Sequence, residues 1–187
     1  MNKNITQLLK NEGVGVLGTD TIYGLVGSAL SKKTVERIYQ LKKRAPSKPF
    51  IILISSIEDL KLFEINFDHD PQTINHLQSL WPNPVSVILP CKDKKFKYLH
   101  RETKTLAFRI PNKLNLLEIL KQTGPLVAPS ANPEGLPPTQ TIKEAKKYFG
   151  DNIDFYLDEG KIISQSSTLI EIKNNKINIL RQGFYRI

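Results

Sequence analysis

Short apolar runs separated by helix-like segments constrain the fold of this sequence most. Five runs rich in Val, Ile, Leu or Phe have the length of buried strands, and polar or turn-forming residues follow each one: 14–17, 50–54, 85–89, 105–110 and 126–128. Alternation of such runs with helices is typical of a domain built on a largely buried sheet. We therefore expect the α/β fold class.

Helix signals lie between these runs, and several begin at residues that favour the N-cap position. A hydroxyl or carboxylate side chain there accepts a hydrogen bond from the first helical turn. The expected starts are Ser31, Ser56, Asp70 and Thr141, where Glu144 completes a capping box, and a further helix over 114–121 ends at Gly124. Two last runs, 168–172 and 177–181, are expected to pair as a β-hairpin.

The length and the single cysteine limit the class of protein. A chain of 187 residues can bury one sizeable core, so we expect a single domain over residues 1–187. Its apolar runs are far shorter than the roughly 20 residues that span a membrane, and its first ten residues lack the pattern of an export signal. Cys91 has no second cysteine to pair with. We therefore expect no membrane association and a location in the reducing cytoplasm.

The charge balance favours phosphate-bearing partners. Lys and Arg number 27 against 18 Asp and Glu, which gives a formal net charge of +9. Such a surplus attracts a nucleotide and a nucleic acid alike, and scattered surface lysines are also typical of a solvated face. Charge alone therefore leaves the partner open.

Glycines at 13, 15 and 18 match the G-x-G-x-x-G spacing of dinucleotide-binding folds. In those folds the glycines follow a strand and open a helix. Here they start inside a strand-like run, and Thr19-Asp20-Thr21 follows instead of an amphipathic helix. A Walker A loop does not fit either, because Thr19 occupies the position of its lysine. An ATP site in this chain must be of another type.

Two polar segments lie early in the chain. Thr-Asp-Thr-Ile-Tyr-Gly-Leu at 19–25 leaves the first apolar run with hydroxyls, a carboxylate and an aromatic ring, and its glycine permits a sharp turn. Strand exits of α/β sheets usually contact ligands; a turn with a core tyrosine is the alternative. Lys42, Arg44 and Lys48 surround Pro46, so they can converge on a polyphosphate. A solvated helix end is the alternative there.

Further polar positions interrupt the later apolar runs. Arg109 lies within such a run, so we expect it to meet a buried carboxylate or a ligand anion. Pro-Ser-Ala-Asn at 129–132 breaks another run and exposes a hydroxyl and an amide, although an ordinary turn fits equally well. Ser167-Thr168 enters the final hairpin and Arg181 leaves it, which adds hydroxyls and a cation.

In their joint order, these segments resemble the YrdC/TsaC family, the threonylcarbamoyl-AMP synthases. The resemblance runs from about residue 13 to residue 183 and comprises 19–25, Lys42-x-Arg44 with Lys48-Pro49, Trp81-Pro82-x-Pro84-Val85, Arg109, 129–132, Ser167-Thr168 and Arg181. Two positions depart from the family pattern: Gly18, where proline is common, and Pro133-Glu134, where a serine commonly precedes Gly135. The resemblance implies a twisted, open, mixed sheet with flanking helices around a basic cavity.

The resemblance also implies what this cavity binds. Its substrates would be ATP, L-threonine and bicarbonate or CO₂, with Mg²⁺ accompanying ATP and no metal site of the protein's own. The product would pass to a downstream tRNA threonylcarbamoyl transferase complex. By motif position, the expected nucleotide contacts are Arg44, Lys48, Thr105, Ser130 and Arg181, the expected threonine contacts are Thr21, Arg109, Ala128 and Ser167, and the candidate catalytic residues are Lys42, Arg44 and Asn132.

Two other functions are alternatives. An RNA-binding module fits the net charge and the lysines around Phe96, so contact with tRNA or double-stranded RNA is one of them. A carbamoyl-transfer domain of the hydrogenase-maturation type resembles the same fold, but that larger protein carries zinc-binding cysteine clusters that Cys91 alone does not supply. We expect no catalytic role for Cys91 or for the histidines, which lie outside every motif: His69, His76 and His100.

Overall fold

A mixed sheet of nine strands organises the computed structural model, which describes residues 3–67, 70–173 and 175–187. The strands are β1 (Gly15–Gly18), β2 (Tyr23–Ser28), β3 (Ile51–Leu53), β4 (Val85–Pro90), β5 (Thr105–Arg109), β6 (Leu126–Val127), β7 (Phe155–Tyr156), β8 (Thr168–Lys173) and β9 (Lys176–Arg181). Their spatial order is β7-β1-β2-β6-β3-β5-β4-β8-β9. Because β7 and β9 lie at the two edges, the sheet is open.

Three pairs of neighbouring strands are parallel, namely β1 with β7, β3 with β5 and β4 with β8. The other pairs are antiparallel, including the final hairpin of β8 and β9. Residue 174, within the predicted hairpin connection, lies outside the described residues. The predicted α/β class with an open, mixed sheet is confirmed.

Within the described ranges, six α-helices flank the sheet, and several begin at the expected caps. They are α1 (Lys3–Lys10), α2 (Lys32–Lys42), α3 (Pro71–Leu80), α4 (Lys97–His100), α5 (Leu114–Thr123) and α6 (Ile142–Phe149). Ser31 Oγ accepts a hydrogen bond from Thr34 N at 3.2 Å, as predicted for the start of α2. The segment after Ser56 forms a 3₁₀ helix over 57–63. None of the helices among the described residues is long and apolar enough to cross a membrane.

Apolar side chains cover both faces of the sheet. Along β1, Val16 belongs to one buried cluster and Leu17 to a second, since successive strand residues point to opposite faces. The first cluster includes Val35 and Ile38 of α2. The second includes residues of α1 and α5. Helices on both faces therefore bury a continuous sheet, as the apolar runs indicated.

Four of the helices and strands named above were absent from the sequence interpretation: α1, α4, β2 and β7. The expected sharp turn at Gly24 is wrong, because Gly24 pairs with Leu17 inside β2. The turn lies earlier, where Thr19 N donates to Ile22 O at 3.0 Å. The alternative of a core tyrosine describes Tyr23 correctly, since this side chain is fully buried.

Candidate active site

A cavity of about 350 Å³ is walled by residues that lie far apart in the sequence. Eight of the eleven predicted site residues line it: Thr21, Arg44, Thr105, Arg109, Ala128, Ser130, Ser167 and Arg181. Lys42, Lys48 and Asn132 are not among its lining residues. The sheet thus brings together most of the motif residues, while the individual ligand contacts assigned to them stay predictions.

Residues 128–130 line the cavity, and strands hold the segment 128–131 on both sides. On one side, Ala128 N donates to Ile51 O of β3 at 2.9 Å. On the other, Leu25 N of β2 donates to Pro129 O and Ala131 N donates to Tyr23 O, both at 2.9 Å. The chain at Pro129-Ser130 therefore departs from regular strand structure while its neighbours keep their backbone hydrogen bonds. Ser130 lies at the cavity.

Hydroxyl groups shape the turn between β1 and β2. Thr19 Oγ1 donates to Ile22 O at 2.7 Å and lies 3.0 Å from Thr21 Oγ1. Both threonines are buried and both line the cavity. The turn thus presents a hydroxyl from Thr21 in a fixed position.

Arg109 is a buried cation at the cavity wall, and its partner is Asp20. Arg109 Nη2 lies 3.2 Å from Asp20 Oδ1, and both side chains are less than 5% exposed. Neither Asp20 Oδ1 nor Arg109 Nε has a hydrogen-bond partner within the described residues, so this contact is an ion pair without a hydrogen bond. Arg109 Nη1 also donates to Thr21 Oγ1 at 3.3 Å. The expected buried carboxylate is therefore present, and the guanidinium keeps donor capacity for a ligand anion.

Burial dominates the electrostatics of Arg109. Desolvation lowers the pKa of Arg109, the carboxylate of Asp20 raises it, and the charge of Arg181 lowers it. A buried guanidinium stays protonated in proteins, so the lowered pKa reports the cost of burying its charge. An anion bound in the cavity would reduce that cost.

Ser167 and Arg181 form the opposite part of the wall. Ser167 Oγ lies 2.8 Å from Ser86 Oγ, and Arg181 Nη2 donates to Ser167 O at 2.9 Å. The chain after β9 packs closely here, because a Cβ atom at Gly183 would stand 2.2 Å from Ser166 O. Desolvation lowers the pKa of Arg181, and the charge of Arg44 lowers it further. Arg44 and Arg181 therefore both place positive charge at the cavity.

Lys42 is buried, does not line the cavity, and supports the cavity wall through hydrogen bonds. The side chain is 1% exposed, and Nζ donates to Ser130 O at 2.6 Å and to Asn132 O at 2.5 Å. Burial, together with the charge of Arg44, lowers the pKa of Lys42 to about 7, against the opposing effect of Glu134. Asn132 Nδ2 donates to Leu136 O at 2.5 Å. Lys42 and Asn132, two of the three candidate catalytic residues, thus hold the turn that carries Ser130.

Lys48 lies at the surface beside the cavity. Its Nζ is 2.5 Å from Glu134 Oε1, and the Lys48 side chain is 57% exposed. Its carbonyl oxygen accepts from Arg44 Nε at 3.1 Å and from the Tyr39 hydroxyl at 2.9 Å. The Arg44 guanidinium stacks over Phe50 with 5.4 Å to the ring centroid. The backbone of Lys48 therefore orients Arg44, while its ammonium pairs with a carboxylate.

Sequence reasoning did not assign roles to several residues of this region. Asp20 was the acidic residue in the motifs that could have been assigned as the partner of Arg109. The signal was the high cost of burying an arginine without a partner. Thr103 and Ser166 line the cavity without any distinctive pattern around them. Glu134 stands where the sequence departs from the family pattern, and that departure was its signal.

The remaining predictions concern metal-binding residues and histidines. Among residues 3–67, 70–173 and 175–187, no group of three or more His, Cys, Asp or Glu side chains is arranged to hold a metal ion. His76 is half-buried, with Nε2 2.8 Å from Asn175 Oδ1, and His100 is buried outside the cavity wall. His69 lies outside the described residues.

The sequence matches the family model described as "Telomere recombination", which comprises the Sua5, YciO and YrdC proteins, over residues 7–183. A threonylcarbamoyl-AMP synthase of Pyrococcus abyssi is 31% identical over 88% of this chain and 48% of its own length. A protein of the same name from an Enterobacter species is 31% identical over 81% of this chain and 80% of its own length. The chain therefore spans about half of the archaeal relative and most of the bacterial one.

A solved structure, P. abyssi Sua5 complexed with L-threonine, superposes on this chain with a TM-score of 0.85. The two are 26% identical, and the match covers 96% of this chain and 53% of the other. The half of the archaeal protein that this chain matches therefore has the same arrangement of strands and helices.

Proposed function

Because the chain belongs to the Sua5/YciO/YrdC family, we propose that it is an L-threonylcarbamoyladenylate synthase. It would condense L-threonine, bicarbonate or CO₂, and ATP to threonylcarbamoyl-AMP and pyrophosphate, a nucleotidyl transfer that supplies tRNA threonylcarbamoyladenosine modification. The observation that carries the proposal is the buried Arg109 beside the hydroxyl of Thr21 in one cavity. Relatives named threonylcarbamoyl-AMP synthase, and a relative's structure with L-threonine, support it.

Arg109 and its neighbours would hold threonine. The guanidinium carries a charge that Asp20 contacts without a hydrogen bond, so a substrate carboxylate can take the free donor positions. Thr21 and Ser167 offer hydroxyls for the polar groups of the amino acid. The neutral threonine amine attacks the carbon of CO₂, a C–N bond forms, and loss of a proton leaves a carbamate. With bicarbonate the same C–N bond forms, and the C–O bond to the hydroxyl group breaks, so that hydroxyl leaves with the amine proton as water.

Arg44 and Arg181 would act on the second step. The carbamate oxygen attacks the α-phosphorus of ATP, and the bond to the β-phosphate oxygen breaks with release of pyrophosphate. Negative charge develops on phosphate oxygens, and fixed cations lower the energy of that state. Holding both reactants in one cavity provides the remaining acceleration. No covalent intermediate with the enzyme is required.

Mg²⁺ is proposed to enter with ATP. The cavity wall contains hydroxyls, backbone oxygens and arginines but no Asp or Glu among its lining residues. Such a wall fits an ion that phosphate oxygens hold, as is usual for Mg²⁺ at nucleotide sites. When bound, the ion would neutralise charge on the phosphates, and Ser130 and Thr105 are the nearby hydroxyls that would complete its surroundings.

Partners and location follow from the same proposal. The product would be consumed by a tRNA threonylcarbamoyl transferase complex, and the enzyme would work in the cytoplasm. The comparisons do not favour the RNA-binding alternative, because relatives across archaea and bacteria carry the synthase name.

Pyrophosphate release tests the proposal. Purified protein is mixed with ATP, Mg²⁺, threonine and bicarbonate, and each component is omitted in turn. We expect release only in the complete mixture. Release that is independent of threonine would indicate another ATP-hydrolysing reaction, and RNA binding without release would return the RNA-binding alternative to first place.

A further inference from the structure

Glu134 contacts the segment that carries the predicted nucleotide-binding cations. Its Oε1 lies 2.5 Å from Lys48 Nζ, and its Oε2 accepts a hydrogen bond from Ala45 N at 2.8 Å. Its own N–H donates to Lys42 O at 2.7 Å. One residue therefore ties the turn after Asn132 to the 42–50 segment at the edge of the cavity.

Three cationic residues are predicted to contact the nucleotide, and Lys48 differs from the other two, Arg44 and Arg181. Within the described part of the chain, neither Arg44 nor Arg181 forms an ion pair with a carboxylate. Both line the cavity, and the charge of Arg44 lowers the pKa of Arg181. Lys48 alone of the three is paired, and its partner is Glu134.

We propose that Glu134 competes with the nucleotide phosphates for Lys48 and thereby weakens ATP binding. The inference rests on the proposed function, because it takes the cavity as the ATP site. It assigns an affinity-setting role to a residue that lies outside the cavity wall.

The geometry favours exchange of Lys48 between two anions. Its side chain is 57% exposed and that of Glu134 is 31% exposed, so water screens the pair and little energy is needed to separate it. The lysine stem is flexible, and Pro49 and Phe50 directly after it line the cavity. A triphosphate with several charges is a stronger partner than one carboxylate. If the ammonium contacts both anions, the Glu134 charge still repels the phosphates.

The second contact of Glu134 suggests the informative substitution. Glu134→Gln removes the charge but keeps a carbonyl oxygen that can accept from Ala45 N, so the loop retains its anchor. Glu134→Ser removes the carboxylate altogether. Glu102→Gln is a matched control, because Glu102 pairs with Lys97 at 2.6 Å on the surface and lies outside the cavity wall.

The test is calorimetric titration of each variant with ATP and Mg²⁺ at low ionic strength. We expect Glu134→Gln and Glu134→Ser to bind ATP about two- to fivefold more tightly than the wild type, as loss of an exposed ion pair allows. Glu102→Gln should bind like the wild type. In a Lys48→Met background the gain from Glu134→Gln should fall below about twofold, since no lysine remains to compete for.

Several results would overturn the proposal. Unchanged or weaker ATP binding by Glu134→Gln excludes competition. An equal gain with and without Lys48 shows simple repulsion instead of competition, and an equal gain from Glu102→Gln shows a general charge effect.

The proposed function is tested separately by wild-type pyrophosphate release. Threonine-dependent release with no effect of Glu134→Gln rejects the competition alone. Tighter ATP binding by Glu134→Gln without threonine-dependent release rejects the synthase assignment and keeps the competition. No ATP binding by the wild type rejects both.

Discussion

Replacement of Arg109 should weaken threonine binding far more than ATP binding. A carboxylate held by a charged donor gains about 1.5–3 kcal/mol. Loss of that interaction corresponds to roughly a ten- to hundredfold weaker threonine affinity. Arg44 and Arg181, the predicted phosphate cations, stay in place, so ATP affinity should change far less.

The substitution also affects stability, because it would leave Asp20 buried without its cation. Removing one partner of a buried ion pair costs about 3–5 kcal/mol of the free energy of unfolding. Arg109→Met alone would therefore confuse loss of binding with loss of fold. Combining it with Asp20→Asn removes the unpaired charge, and the new amide can still accept from Asn112 N, which now donates to Asp20 Oδ2 at 3.1 Å.

The assay compares the wild type, Arg109→Met and the double variant. Urea unfolding should show a large loss of stability in the single variant and recovery in the double variant. Calorimetric titration should show weak threonine binding in both, with ATP binding near the wild-type value in the double variant. Recovery of threonine affinity in the double variant, or equal loss of threonine and ATP affinity, would refute the assignment of Arg109 to the carboxylate.

Three further predictions follow from other contacts. The pKa of Lys42, about 7 in the folded chain, lies below its unfolded value, so the unfolded chain binds more protons between about pH 7 and pH 10. The free energy of unfolding should therefore rise over this window by at most about 1.4 kcal/mol per pH unit. Lys42→Met should flatten this rise. An equal pH dependence of the free energy of unfolding in the wild type and in Lys42→Met would contradict the burial of Lys42. Gly183→Ala should lower both melting temperature and turnover, because the added Cβ would stand 2.2 Å from Ser166 O beside Ser167; wild-type turnover would contradict the close approach. Ser31→Ala should cost about 1 kcal/mol in urea unfolding without affecting ATP affinity.

Much of the fold could be predicted from local patterns. Runs of buried apolar residues located β3, β4 and β5, and cap residues such as Ser31 located helix starts. β2 escaped because Gly24 and Gly27 weaken the strand signal and resemble turn residues. β7 has two residues, which is too short for any periodic pattern. The antiparallel insertion of β6 between β2 and β3 depends on long-range packing that no local pattern encodes.

In the candidate site, too, local patterns predicted some features, and contacts between distant residues determined the others. Motif order placed eight residues at one cavity, but it did not show that Lys42 is buried outside the cavity lining or that Lys48 is exposed at the surface. For Lys42 a signal was available, since Val35, Ile38, Tyr39 and Lys42 recur at helical spacing and all four are buried on one face of α2. For Lys48 none was available, because its partner Glu134 is 86 residues away in sequence.

Isotope-resolved mass spectrometry of the product tests the central claim most directly. The protein is incubated with ATP, Mg²⁺, threonine and ¹³C-bicarbonate, and the mixture is analysed at once. The account predicts an AMP adduct that contains threonine and a single ¹³C atom in the carbamoyl group. Formation of AMP and pyrophosphate without this labelled adduct, or no consumption of ATP, would contradict it.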